Sequence, residues 1–141
     1  MPAKKISMDE KYMKEAIRQA KKAAALKEVP IGCVIVHDGQ VIGRGYNRRN
    51  TDKSTLAHAE ITAIKRASKK LGDWRLGDCT LYVTLEPCCH QGKTPPCTDI
   101  IIERKIGRVF VGALDPNPKV DGGGIKILRE HGIEVITGIL E

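Results

Sequence analysis

The hydrophobic period of this chain switches from segment to segment, and the order of those switches limits the fold more than any single residue does. A helical stretch comes first, DEKYMKEAIRQAKKAAAL, with Tyr12, Ala16, Ala20 and Ala23 recurring at helical spacing and Ser7 with Glu10 forming a capping box. The runs IGCVIV and VIGRGY flank His37-Asp38-Gly39-Gln40 and predict a hairpin turning at Asp-Gly. From there helical and strand patterns alternate. HAEITAIKRASKKLG places Ile61, Ile64 and Ala67 on one face and stops at Gly72; TLYVTL, TDIIIERK and RVFVGA follow; Gly122 to Gly124 open IKILREHG; IEVITG is the last strand. Strands joined through helices require crossovers, so we expect a three-layer α/β/α architecture around a mixed five-stranded sheet.

With 141 residues the chain can bury a core without covalent staples, and no repeat, linker or low-complexity segment divides it. We expect one domain, residues 1–141. The five cysteines are then free for other work. No charged-then-apolar leader and no apolar run of membrane-spanning length is visible, so a cytoplasmic protein with reduced thiols and no membrane partner is expected. In that setting metal binding or catalysis explains cysteines better than disulfides do.

The formal charge of +7 is scattered over Lys4, Lys5, Lys14, Arg18, Lys21, Lys22, Arg48, Arg49, Lys65, Arg66, Lys69 and Lys70. Scattered helix-face lysines describe a solvated surface more than a nucleic-acid footprint, and an aromatic content of 4% offers few platforms for stacked bases. The charge fits a phosphate-bearing substrate without requiring one.

Chemistry concentrates in two places: His58-Ala59-Glu60 at the start of the second helix, and EPCCHQGKTPPC after the third strand, where Cys88 and Cys97 stand nine positions apart. Taken singly, a histidine at a helix start is a cap and a buried cysteine is core. Together they offer a zinc site. Cys88 follows Pro87 directly after a strand, and Cys97 follows Pro95-Pro96 at a helix start, where the helix dipole favours thiolate. Two thiolates and an imidazole are three protein ligands, which in a catalytic zinc site leave the fourth position to water. Glu60, two residues from His58 and not needed for coordination, is placed to carry a proton.

His58-Ala59-Glu60 and Pro87-Cys88 correspond to the H-x-E and P-C-x-x-C signature of zinc-dependent nucleobase deaminases, except that Gln91 stands three positions after Cys88. On these residues the chain resembles the cytidine deaminase-like superfamily. EVPIGCVIV, GRGYN, AHAEI and WRLGDCTLYVTLEPC resemble tRNA adenosine deaminases and free-base cytosine and guanine deaminases. TLEPCCHQGKTPPCTDIIIE and VFVGALDPNPKVDGGGIKILREHGIEVITGILE resemble the deaminase domain of the bifunctional riboflavin-biosynthesis enzyme, in which the long cysteine spacing is usual. The resemblance implies a cytidine deaminase-like fold, Zn²⁺ held by His58, Cys88 and Cys97, and Glu60 as the catalytic proton shuttle. It implies substrate contacts from Asn47 (the tRNA and free-base branches), from the Ala59 backbone amide, and from His90 and Lys93 (the riboflavin branch), where a cation suits a ribose phosphate. It also implies a homodimer or larger assembly. Cys33 and Cys79 read as core and Cys89 as a spare thiol.

The expected activity is hydrolytic deamination of an amino-heterocycle. The riboflavin-pathway pyrimidine nucleotide leads, a free base or nucleoside follows, and tRNA adenosine comes after. Two other classes stand against it: a binding module closed around structural zinc by Cys88, Cys89, His90 and Cys97, and a basic RNA-binding protein. Adjacent Cys-Cys-His makes an awkward chelate, because neighbouring side chains at a strand end point to opposite faces, and neither alternative employs His58 with Glu60.

Overall fold

The computed structural model describes residues 8–48, 51, 58–85, 97–113 and 123–139. Four helices and five strands follow in chain order: α1 (Met8–Ala25), β1 (Gly32–His37), β2 (Gln40–Tyr46), α2 (Ala59–Leu71), β3 (Cys79–Leu85), α3 (Cys97–Glu103), β4 (Arg108–Ala113), α4 (Gly123–Glu130) and β5 (Glu134–Thr137). The strands form one sheet in the order β2-β1-β3-β4-β5. β1 is antiparallel to both β2 and β3, while β3, β4 and β5 are parallel. Hence β2 and β3 run the same way on either side of β1, and α2 is the crossover between them.

Alternation along the strands sorts two cores. Val34, Val36, Tyr82 and Phe110 meet Tyr12, Met13 and Ala16 of α1 on one face. Cys33, Ile35, Leu81, Val83, Val109 and Val111 meet α2, α3 and α4 on the other. The result is the three-layer mixed sheet expected from the pattern, with α1 the helix against one face among the described residues. No helix among the described residues is long and apolar enough to cross a membrane.

The hairpin turns as the sequence requires: Asp38 and Gly39 both have positive φ, 51° and 75°, the left-handed pair of a two-residue turn whose twist suits flanking strands. Ile42 is looped out of the β1–β2 register, since Ile35 pairs with Gly43 and Val36 with Val41. Beyond this bulge the close approach of α2 becomes possible only because β2 carries glycine. A Cβ on Gly43 would stand 2.3 Å from the Ala63 carbonyl, and one on Gly45 would stand 2.4 Å from that of Ala59. Gly32 plays the same part under α1, 2.0 Å from the Ala16 carbonyl.

The helix ends differ in part from the sequence reading. Gly72 closes α2 at φ 74°, its amide donating to the Ser68 carbonyl, as expected. α3 stops at Glu103, short of Arg104 and Lys105. Lys105 is left-handed at φ 60°, the Lys105 and Ile106 amides fold back onto Ile102 and Ile101, and the Arg104 carbonyl accepts from Leu76 instead of continuing the helix. α1 ends the same way at Lys27, φ 60°, with the amides of Lys27 and Glu28 on the carbonyls of Ala24 and Ala23. These are the reciprocal bonds of a Schellman closure, with lysine where glycine is usual. The capping-box residue Ser7 lies outside the described residues.

Beneath α1 the Tyr82 hydroxyl donates to Asp9 Oδ1 at 2.6 Å, and the Tyr82 ring stacks on Phe110 with centroids 4.8 Å apart. Burial first, then the bond and charge of Asp9, push the Tyr82 phenol well above its ordinary range. The folded protein therefore keeps a proton that the unfolded chain releases above the ordinary phenol value of about 10, and stability falls as pH rises past it. Tyr82→Phe is expected to flatten that fall: urea midpoints at pH 8 and pH 11 should lie closer together in the variant than in the wild type.

Candidate active site

All the chemistry-bearing segments leave the same edge of the sheet. β2 and β3 end there because they are parallel, and the chain passes from β2 to His58 and from β3 to Cys97. Such an edge, at the carboxyl ends of strands, is where α/β sheets hold ligands. Thr84, near the end of β3, accepts the Gly32 amide on its hydroxyl at 3.1 Å, tying the start of β1 to this edge.

His58 is the N-cap of α2, with extended backbone at φ −76° and ψ 147°, yet its side chain makes no capping bond. The imidazole is directed elsewhere: His58 Nδ1 lies 3.6 Å from Cys97 Sγ. Cys97, the first residue of α3, is buried. Glu60 follows in the first turn of α2, only 4% exposed, and its carboxylate, the imidazole and the thiol have ligand atoms within 4.8 Å of one another. The Arg104 guanidinium donates to Ser68 Oγ at 2.9 Å, holding the end of α3 to α2 and so one half of this cluster to the other.

The donor set fits zinc. Ligand bonds of about 2.3 Å to sulfur and about 2.05 Å to nitrogen, at a tetrahedral angle, put the two donor atoms about 3.6 Å apart, which is the observed His58–Cys97 separation. Sulfur with imidazole is also the donor chemistry that zinc prefers over harder cations.

Cys33 borders the same cluster from β1. Burial, and secondly the Glu60 carboxylate, push its thiol well above the usual range. That agrees with its reading as core, as does the burial of Cys79. Ala59 is buried at the first position of α2, with its carbonyl against Gly45 of β2. Two residues beyond Gly45, Asn47 is buried as well; its amide donates to the Ile31 carbonyl at 3.1 Å and its Nδ2 to the Val29 carbonyl at 3.4 Å. The structure thus brings His58, Glu60 and Cys97 together and sets Ala59 and Asn47 at the same edge. Cys88, Cys89, His90 and Lys93 lie outside the described residues. Glu28 and Thr51, which share hydrogen bonds beside Asn47, escaped the sequence reading; the signal was an acidic residue in an otherwise apolar EVPIG entry to a buried strand.

The model of the cytidine and deoxycytidylate deaminase zinc-binding region matches residues 6–113. The chain belongs to this family. It is a zinc-binding deaminase, a hydrolase acting on C–N bonds. Among this deaminase's relatives, the tRNA-specific adenosine deaminase of Bacillus subtilis is 44% identical over 140 residues, covering 96% of this chain and 83% of that protein. The diaminohydroxyphosphoribosylamino-pyrimidine deaminase of Buchnera aphidicola subsp. Acyrthosiphon pisum is 42% identical over 131 residues, covering 92% and 83%. The crystal structure of a diaminohydroxyphosphoribosylaminopyrimidine deaminase/5-amino-6-(5-phosphoribosylamino)uracil reductase from Thermotoga maritima superposes with a TM-score of 0.82 at 49% identity, covering 95% of this chain and 37% of that one. The deaminase therefore spans little more than a third of this two-activity relative.

Proposed function

We propose that this deaminase, as one domain over residues 1–141, acts on the riboflavin-pathway diaminohydroxyphosphoribosylaminopyrimidine, with His58, Cys88 and Cys97 as zinc ligands and Glu60 as the proton shuttle. The observation that carries the reading is the 3.6 Å approach of Cys97 to His58. It supports Cys97, nine positions after Cys88 in the sequence, as the second thiol ligand, at the long spacing that resembles the riboflavin branch. His90 and Lys93 fall between the two cysteines in the sequence, where a cation suits the ribose phosphate.

When bound, the zinc ion lowers the pKa of a water molecule to about 7 and so supplies a nucleophile at neutral pH. The protein's own groups manage the protons. Glu60 takes one from the attacking water and passes it to the ring nitrogen adjacent to the amino-bearing carbon. Once that carbon is tetrahedral, Glu60 takes the remaining proton from its new hydroxyl and delivers it to the amino group; the C–N bond breaks, ammonia leaves and the carbonyl forms. Burial suits this work, since a carboxylate removed from bulk water exchanges protons with the substrate and not with solvent. The Ala59 amide and Asn47 hydrogen-bond the heterocycle and fix its approach.

A second reading, tRNA adenosine, is favoured by Asn47, which matches the tRNA and free-base branches and is held buried by two hydrogen bonds. Ammonia release by the zinc-loaded protein separates the two. We expect kcat/KM for the pyrimidine nucleotide to exceed that for an adenosine-containing anticodon stem-loop by about 10⁴-fold, the scale on which a site rejects a substrate that leaves its polar groups unpaired. The reverse order would assign the enzyme to tRNA.

A further inference from the structure

The turn between α1 and β1 carries a buried carboxylate that the reaction does not use. Glu28 is 5% exposed, and its backbone is fixed where α1 ends, its amide donating to the Ala23 carbonyl at 3.0 Å. From there Glu28 Oε2 reaches the segment that follows β2, accepting the Thr51 amide at 2.6 Å and the Thr51 hydroxyl at 2.8 Å. Two more bonds join the same stretches of chain, from the Asn47 amide to the Ile31 carbonyl and from Asn47 Nδ2 to the Val29 carbonyl.

A buried carboxyl group is costly unless well bonded. Here one of its oxygens takes both donors of Thr51, and a glutamine in its place turns one of the two oxygens into a donor. The two bonds fall four residues after Asn47, in the connection leading from β2 to His58. Hydrogen-bonding groups that recognise a substrate work only when surrounding bonds hold them to a fraction of an ångström.

We propose that Glu28 is a positioning residue for the heterocycle: by gripping both donors of Thr51 it holds the Asn47 side of the site against the Val29–Ile31 turn. The idea rests on the reading above in which Asn47 contacts the substrate. Glu28 itself touches neither substrate nor metal, so its loss should weaken binding of substrate while leaving the zinc chemistry intact.

The test compares zinc-loaded wild type, Glu28→Gln, Thr51→Val and Thr51→Ser, using the diaminohydroxyphosphoribosylaminopyrimidine and the anticodon stem-loop as substrates. With whichever substrate the wild type deaminates, Glu28→Gln should raise KM about tenfold and Thr51→Val about fivefold, with kcat within twofold and zinc content unchanged. Thr51→Ser, which keeps the hydroxyl, should restore the wild-type KM. An unchanged KM in Glu28→Gln and Thr51→Val overturns the proposal, and so does a fall in kcat and zinc content with KM constant, which would mark Glu28 as support for the metal site. If the wild type deaminates neither substrate, the functional reading is what has failed, and amide hydrogen exchange then judges the positioning alone. Loss of protection at the Asn47 amide in Glu28→Gln supports it; retained protection overturns it.

Discussion

Glu60→Gln is expected to lower kcat by between about 10² and 10⁴-fold, the range lost when a positioned acid–base group is removed, while zinc remains bound and the thermal midpoint changes little. The amide matches the carboxylate in shape, so the buried first turn of α2 is not disturbed. Loss of a negative charge from a helix N-terminus costs only about 0.3–1 kcal/mol, against which an ionised group no longer has to be desolvated. The metal content of the variant carries the argument. Glu60 stands within 4.8 Å of both the imidazole and the thiol, close enough to be a ligand in its own right. Zinc lost together with turnover would make Glu60 part of the metal's coordination, and turnover within about tenfold of wild type would remove it from the chemistry.

The second large effect is structural. Gly45→Ala is expected to destabilise the fold by about 1–3 kcal/mol, the usual cost of forcing a methyl into a filled space, and to depress kcat/KM by about 100-fold, as displacements of 1 Å at a catalytic group do. The added carbon would stand 2.4 Å from the Ala59 carbonyl and 2.9 Å from the Ala63 amide nitrogen. Neither is a flexible side chain that can step aside. Relief requires the first turns of α2 to move off β2, and His58, Ala59 and Glu60 move with them. Gly39→Ala is the control: nothing lies within 4 Å of the added carbon, so strain at φ 75° should cost stability without touching kcat/KM. Urea denaturation and steady-state kinetics on the two variants read the difference. Equal kinetic loss in both would mean that the β2–α2 contact does not position the site.

Much of this was legible in the chain because the signals are local. The Asp38-Gly39 turn, the Gly72 stop and the helix beginning beside His58 each follow from a residue's own backbone preference or from a short period, and the structure has them where the sequence puts them. The pairing of His58 with Cys97 was legible for another reason: few combinations of soft donors make chemical sense together, so residue type stood in for distance. What could not be read are arrangements decided by tertiary contacts. Lys105 adopts the left-handed conformation that glycine would advertise, so α3 was read on to Lys105 and not to its end at Glu103. The glycines of β2 look like weak strand formers until α2 is laid across them. Cys33 reads as plain core, and only the folded chain puts it beside Glu60. Glu28 and Thr51 meet across 23 positions of sequence, with no periodicity connecting them.

The central claim is that one zinc ion joins His58, Cys88 and Cys97 and leaves a position open beside Glu60. X-ray absorption at the zinc edge of the purified holoenzyme measures this directly. The expected environment is two sulfurs at about 2.3 Å with two nitrogen or oxygen neighbours at about 2.0–2.2 Å, one from His58 and one that exchanges when a small anion is added. A shell of three sulfurs and one imidazole, unaltered by added anion, would mean a closed structural site drawing on Cys89, and would contradict the account.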